Sequence, residues 1–152
     1  MRTTALALFL VLMPAAAFAQ ADKLPAAVQA AIDANKKVCG ETAKIGAGLV
    51  AEQDINGDGV KDYVLNYEHF ECEGSASYFC GTGGCLTQVF ASLPNGGFVK
   101  VLDDNVRDIQ FRKLRGKPAI VLDLHGSACG KVGAASCPRT LTWDGKTFKR
   151  AK

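Results

Sequence analysis
The chain reads as an α+β domain, mainly β: an antiparallel β meander of hairpins with one N-terminal helix, stapled by disulfides. Three observations predict this. The apolar residues recur at a helical period only once, near the N-terminus, and at a period of two thereafter. Tight-turn signals separate the period-two segments at short intervals. Six cysteines, an even number, all lie in the part of the chain that follows a leader-like segment.

That leader comes first. Met1-Arg2 supplies a positive start, and ALALFLVLM (residues 5–13) is an apolar run too short to span a bilayer. Ala17-Phe18-Ala19 has the small-x-small form of a signal-peptidase site. Residues 1–19 therefore read as a signal peptide cleaved after Ala19, which predicts a periplasmic or secreted protein. Of 152 residues, 133 remain, and residues 20–152 are expected to form a single domain. No later segment is apolar enough to cross a membrane. Loss of Arg2 takes the formal charge from +3 to +2. Such near-neutrality gives no electrostatic reason to bind nucleic acid. The densest basic stretch carries Arg107, Arg112, Lys113, Arg115 and Lys117 and reads as a solvated hairpin with a basic tip.

Residues 24–37 predict the helix. Pro25 suits its first turn, where a missing N–H costs nothing. Leu24, Val28, Ala31 and Ile32 form an apolar stripe, Lys36 and Lys37 suit the negative end of the helix dipole, and Gly40 follows as a stop. Strands are expected over residues 48–53, 60–67, 85–93, 98–102, 106–114, 119–124, 140–143 and 146–149. Tyr63, Leu65 and Tyr67 would share one face. Pro94-Asn95-Gly96-Gly97, Arg115-Gly116-Lys117-Pro118 and Asp144-Gly145 mark hairpin turns. Asp103-Asp104-Asn105 reads most simply as a further turn.

An exported chain with an even cysteine count implies disulfides. Six cysteines allow 15 pairings. Locality favours Cys80–Cys85 and Cys129–Cys137, which leaves Cys39–Cys72 to tie the helix end to the sheet; Cys72–Cys80 is the nearest alternative. The spacings lack C-x₂-C, which argues against a zinc site and against a redox dithiol. The glycine-rich 72–84 loop is the best surface candidate for recognition, with Tyr78 and Phe79 beside Cys80 either exposed or plugging the core.

The strongest chemical signal is Asp54-Ile55-Asn56-Gly57-Asp58-Gly59-Val60-Lys61-Asp62. It has the form D-x-N-x-D-G-x-x-D, with side-chain oxygens at positions 1, 3, 5 and 9 and a glycine at 6 for the sharp turn. A short loop wraps Ca²⁺ in this way. The expected ligands are Asp54, Asn56, Asp58, the Val60 carbonyl and Asp62, holding a structural ion. An EF-hand needs a bidentate Glu at position 12, and Leu65 stands there. The stretch resembles the calcium loop of FG-GAP-type repeats, found between two strands in integrin β-propeller blades. The resemblance covers the loop and its flanking strands, about 20 residues, and implies calcium at the same five positions; it does not imply a propeller. As a whole the mature chain is similar to small cysteine-containing periplasmic proteins of bacteria.

Catalytic residues are sparse. The two histidines are His69 and His125. His125 pairs on paper with Ser127 or Asp123, but no G-x-S-x-G elbow is present, and a strand-end histidine bonded to nearby backbone is the plainer account. A zinc site from His69, His125 and Glu71, or a glycosidase pair among Glu68, Glu71 and Glu73, has no spacing behind it. Trp143, before a tight turn, suits cross-strand packing. These residues favour an exported, calcium-binding, non-catalytic structural or binding module, with an envelope protein or glycan as partner. The alternative is a small exported hydrolase using His125 with Ser127 or nearby carboxylates. That alternative requires a concave pocket holding His125 beside an acid or a serine.

Overall fold
The computed structural model describes residues 23–75 and 77–151; the signal peptide read over residues 1–19 lies outside them. Helix α1 (Ala26–Cys39) buries Val28, Ile32 and Cys39, and Lys36 and Lys37 occupy its last turn. Strands β1 (Lys44–Ile45) and β4 (Phe70–Glu71) form a small antiparallel pair. Strands β2 (Val50–Gln53), β3 (Asp62–Asn66) and β6 (Gly84–Ser92) pair in that order. Two further strands, β5 (Cys80–Gly81) and β7 (Phe98–Val106), also pair with β6. A second sheet takes the order β11-β10-β9-β8, from β8 (Asp108–Leu114), β9 (Lys117–His125), β10 (Ser136–Trp143) and β11 (Phe148–Arg150). Every ladder is antiparallel.

The layers follow from side-chain alternation. Tyr63, Leu65 and Phe90 point from the first sheet to α1 and share a core with Val28, Ile32, Tyr67, Phe70 and Cys72. Val64, Val89 and Val106 point the other way and pack on Ile120, Leu122, Leu124, Cys137 and Phe148 of the second sheet. The first sheet is thus the middle layer of three. That is why Tyr63, Val64 and Leu65 read as a continuous apolar run: both faces of β3 are buried. Phe79 plugs the helix-side core, with its ring 5.2 Å from Tyr67 and 5.3 Å from Phe70, while Tyr78 stays 44% exposed. Trp143 meets Phe148 across the last hairpin, ring to ring at 5.0 Å.

Two expectations change. Asp103-Asp104-Asn105 is strand, not turn: it extends β7 opposite Gln88, Thr87 and Leu86. Its charges are tolerated because Asp103 accepts from the Gln88 amide at 3.1 Å and pairs with Lys100 at the surface. Nor is Arg107 part of a solvated basic tip. It stands between β7 and β8, where the chain leaves one sheet for the other. Its N–H donates to the Asp123 carbonyl at 2.9 Å. Its guanidinium donates to the carbonyls of Thr82, Gly133, Ala134 and Ala135. Arg112, Lys113, Arg115 and Lys117 are exposed, as expected of the β8–β9 hairpin.

The three disulfides are Cys39–Cys72, Cys80–Cys85 and Cys129–Cys137, the favoured pairing. Such bonds indicate an oxidising environment. Among the described residues no helix is long and apolar enough to cross a membrane. The Cys80–Cys85 hairpin depends on one glycine. Gly84 has φ +95°, and a Cβ there would collide with the Val106 carbonyl and the Arg107 nitrogen, both backbone. Gly84→Ala is expected to cost about 2–3 kcal/mol and lower the melting temperature by about 6–12 °C. Gly81, four residues from Cys85 in the same hairpin, would meet nothing within 4 Å. Gly81→Ala should therefore melt close to the parent, and equal melts for the two variants would refute this account of Gly84.

Candidate functional sites: the acidic loop and the histidine clefts
The acidic loop joins β2 to β3. Its shape comes from side chains that replace missing backbone pairing. Asp54 accepts from the N–H groups of Gly57 at 2.7 Å and Gly59 at 3.0 Å. Asn56 Oδ1 accepts from the Asp58 N–H at 3.0 Å, and Asp58 Oδ1 from the Val60 N–H at 2.8 Å. These are successive Asx turns. Gly57 and Gly59 stand at φ +80° and +84°, a conformation costly for other residues.

Asp62 is different from the other three. It is fully buried, and its carboxylate points inward. One oxygen accepts from the N–H groups of Ile55 at 2.6 Å and Asn56 at 3.0 Å. The other accepts from the N–H of Ser92 at 2.7 Å and its hydroxyl at 2.8 Å. Four donors fill the roughly four lone-pair sites of a carboxylate. Asp62 therefore pins both the loop and the end of β6. The same Ser92 hydroxyl lies 2.8 Å from Asp58 Oδ2, so its single proton is shared between the two carboxylates, and the Asn56 amide donates to the Ser92 carbonyl at 2.9 Å. Burial pushes the Asp58 carboxyl up, but hydrogen bonds from Val60, Ser92 and Asn56 outweigh it, so its pKa falls below the ordinary 3.8.

The five predicted ligand positions thus divide. Asp54 and Asp58 are exposed carboxylates with lone pairs to spare, Val60 lies at the rim, Asn56 is buried against Ser92, and Asp62 is committed to protein donors. Among the described residues no group of three or more His, Cys, Asp and Glu side chains has the arrangement of a metal centre. Ser92 escaped the sequence reading. Its signal was a hydroxyl closing the apolar run Val89-Phe90-Ala91.

The histidines occupy separate clefts. His69 lies with Lys44, Glu68 and Glu71 in one of about 270 Å³, and Lys44 pairs with Glu71 at 3.0 Å. His125 lies in another of about 350 Å³ with Thr82, Asp104, Asn105 and Ser127. His125 Nδ1 is 2.8 Å from the Ser127 hydroxyl, and Nε2 is 3.5 Å from that of Thr82. Asp123 takes no part: it accepts from the Ser136 hydroxyl at 2.5 Å and the Cys137 N–H at 3.2 Å. The His125 cleft thus sets Ser127 in hydrogen-bond contact with the imidazole and has Asp104 in its lining. Thr82 and the Arg107 clamp were missed in the sequence, since only the fold brings residues 82, 107, 125 and 133 together. In comparisons with known proteins, no family model, no curated protein and no solved structure matches the chain.

Proposed function
We propose that this is an exported, periplasmic calcium-binding module in which the ion is structural. The observation that carries the reading is the 54–62 loop. Two exposed carboxylates, an amide oxygen and a rim carbonyl are gathered on one turn, and a third carboxylate is buried behind them. Asp54, Asn56, Asp58 and the Val60 carbonyl are the oxygens a hard cation would draw on. Asp62, with its lone pairs engaged, holds their spacing and reaches the ion only by sharing an oxygen already bonded. Three carboxylates within nine residues repel one another, and a divalent ion relieves that repulsion. The alternate role of the chain is recognition of an envelope protein or glycan, supported by the exposed Tyr78 on the 72–84 loop.

The test is thermal unfolding of the mature oxidised domain in millimolar Ca²⁺ and again in EDTA. Ligand at ten times Kd adds about 1.4 kcal/mol, a rise of about 3–5 °C. Asp58→Ala should abolish that rise. Identical melts in Ca²⁺ and EDTA would reduce the loop to a self-bonded turn.

A further inference from the structure
Two disulfide-closed loops meet over the end of β9. One is the Cys80–Cys85 hairpin, the other the segment closed by Cys129–Cys137. Arg107 fastens them together, donating to Thr82 of the first and to Gly133, Ala134 and Ala135 of the second. His125 is seated between them. A Cβ on Gly133 would lie 2.5 Å from its Nε2, so a side chain there would displace the ring from its present seat. The imidazole is held by rigid, cross-linked walls, which is the preorganisation a reactive site needs.

Its tautomer follows from its partners. The Ser127 N–H donates to Nδ1 at 3.4 Å. Assigned from this bond, Nδ1 is the unprotonated nitrogen and Nε2 carries the hydrogen toward Thr82. The Ser127 hydroxyl, 2.8 Å from Nδ1, then donates its proton to the ring. A nucleophile hydrogen-bonded to a base, with the base oriented by a third group, is the arrangement that activates serine. A helix cap alone needs one acceptor and no open cleft. Here the cleft also exposes Asn105, whose amide is a donor of the kind that stabilises an oxyanion.

We propose that Ser127 is a nucleophile and His125 its general base, acting on small, uncharged carboxylic esters. Ser127 Oγ bonds to the ester carbonyl carbon as its proton passes to His125 Nδ1. The C–O bond to the alcohol then breaks, and the alcohol leaves with that proton. Water attacks the acyl-serine, giving one proton to Nδ1 and then, through it, to the departing Ser127 oxygen; the acid is released. No oxidant or further reactant is needed. The cleft, about 350 Å³, offers contact for a small acyl group, and the Asp104 carboxylate at its rim disfavours an anionic one. Asp123 is engaged elsewhere, so the group that orients the imidazole is the Thr82 hydroxyl rather than a carboxylate. That confines the chemistry to esters, whose leaving groups need less help than amines. The inference is independent of the calcium loop.

A fluorophosphonate probe on the mature, disulfide-intact protein tests it, with intact mass and peptide mapping as readout. One adduct on Ser127 is expected, absent in Ser127→Ala. His125→Asn separates the two roles of the histidine. Asparagine is a good helix cap but no base. That variant should melt as the parent and label at least about 100-fold more slowly. Absence of an adduct on Ser127 in protein that melts normally overturns the proposal. Labelling of His125→Asn at the parent rate overturns it as well, because the histidine would then be only a cap.

Discussion

Replacing Cys39 and Cys72 together with alanine is expected to destabilise the domain by about 3–5 kcal/mol, lowering the melt by about 10–15 °C. This bond spans a sequence separation of 33, against 8 for Cys129–Cys137 and 5 for Cys80–Cys85. The loop-entropy relation gives about 3.7 kcal/mol for the first and about 2–2.6 kcal/mol for the others. The local environment widens the gap. Cys39 and Cys72 are both buried, and Cys72 lies in the core between α1 and the first sheet. Removing both sulfurs leaves a void that the aromatic cluster of Tyr67, Phe70 and Phe79 can fill only by shifting. The order of melting temperatures should therefore be Cys80/Cys85→Ala highest, Cys129/Cys137→Ala next and Cys39/Cys72→Ala lowest. A Cys39/Cys72→Ala protein melting within 2 °C of the parent would show that packing alone docks the helix.

That bond also shows what the sequence could and could not disclose. Locality alone favoured two short bridges and left Cys39–Cys72 as the remainder, with Cys72–Cys80 still open as an alternative. Most strands were legible because alternation and turn residues are local signals: Pro94 to Gly97 and Asp144-Gly145 sit at the hairpins the chain makes. Layering was not legible. Tyr63 and Val64 read alike as apolar, yet one faces the helix and the other the second sheet. The crossing at Arg107 was hidden for a related reason. A cation among strand residues looks like surface until its acceptors, 25 to 28 residues away on either side, are known. At the acidic loop the spacing of oxygens was readable, but not the direction of each. Asp54 and Asp62 are the same residue type at the two ends of one motif; one is exposed and the other fully buried, because only Asp62 lies where Ser92 closes over it.

The second large effect concerns Asp62. Asp62→Ala is expected to cost about 3–5 kcal/mol, measured in EDTA so that no ion contributes. The change strips the acceptor from the N–H groups of Ile55, Asn56 and Ser92, which are all buried. Each orphaned donor costs about 1–3 kcal/mol, partly offset because a buried charge is removed. The Ser92 hydroxyl suffers least, since Asp58 Oδ2 still accepts from it. Asp62→Asn should fall between: its oxygen serves one pair of donors, while its NH₂ faces the other pair. The loop variants then separate two roles within one motif. Asp58→Ala should lose the calcium increment and melt in EDTA much closer to the parent, because its carboxylate is exposed and its buried partners Asn56 and Ser92 keep other acceptors, the Ser92 carbonyl and Asp62. Asp62→Ala should fall in EDTA and in calcium alike. Should Asp62→Ala instead melt as the parent in EDTA, the buried carboxylate is not the pin that ties the loop to β6. Should Asp62→Ala be too unstable to purify, the graded losses of Asp62→Asn and Ser92→Ala decide the same point, since both weaken the one junction from opposite sides.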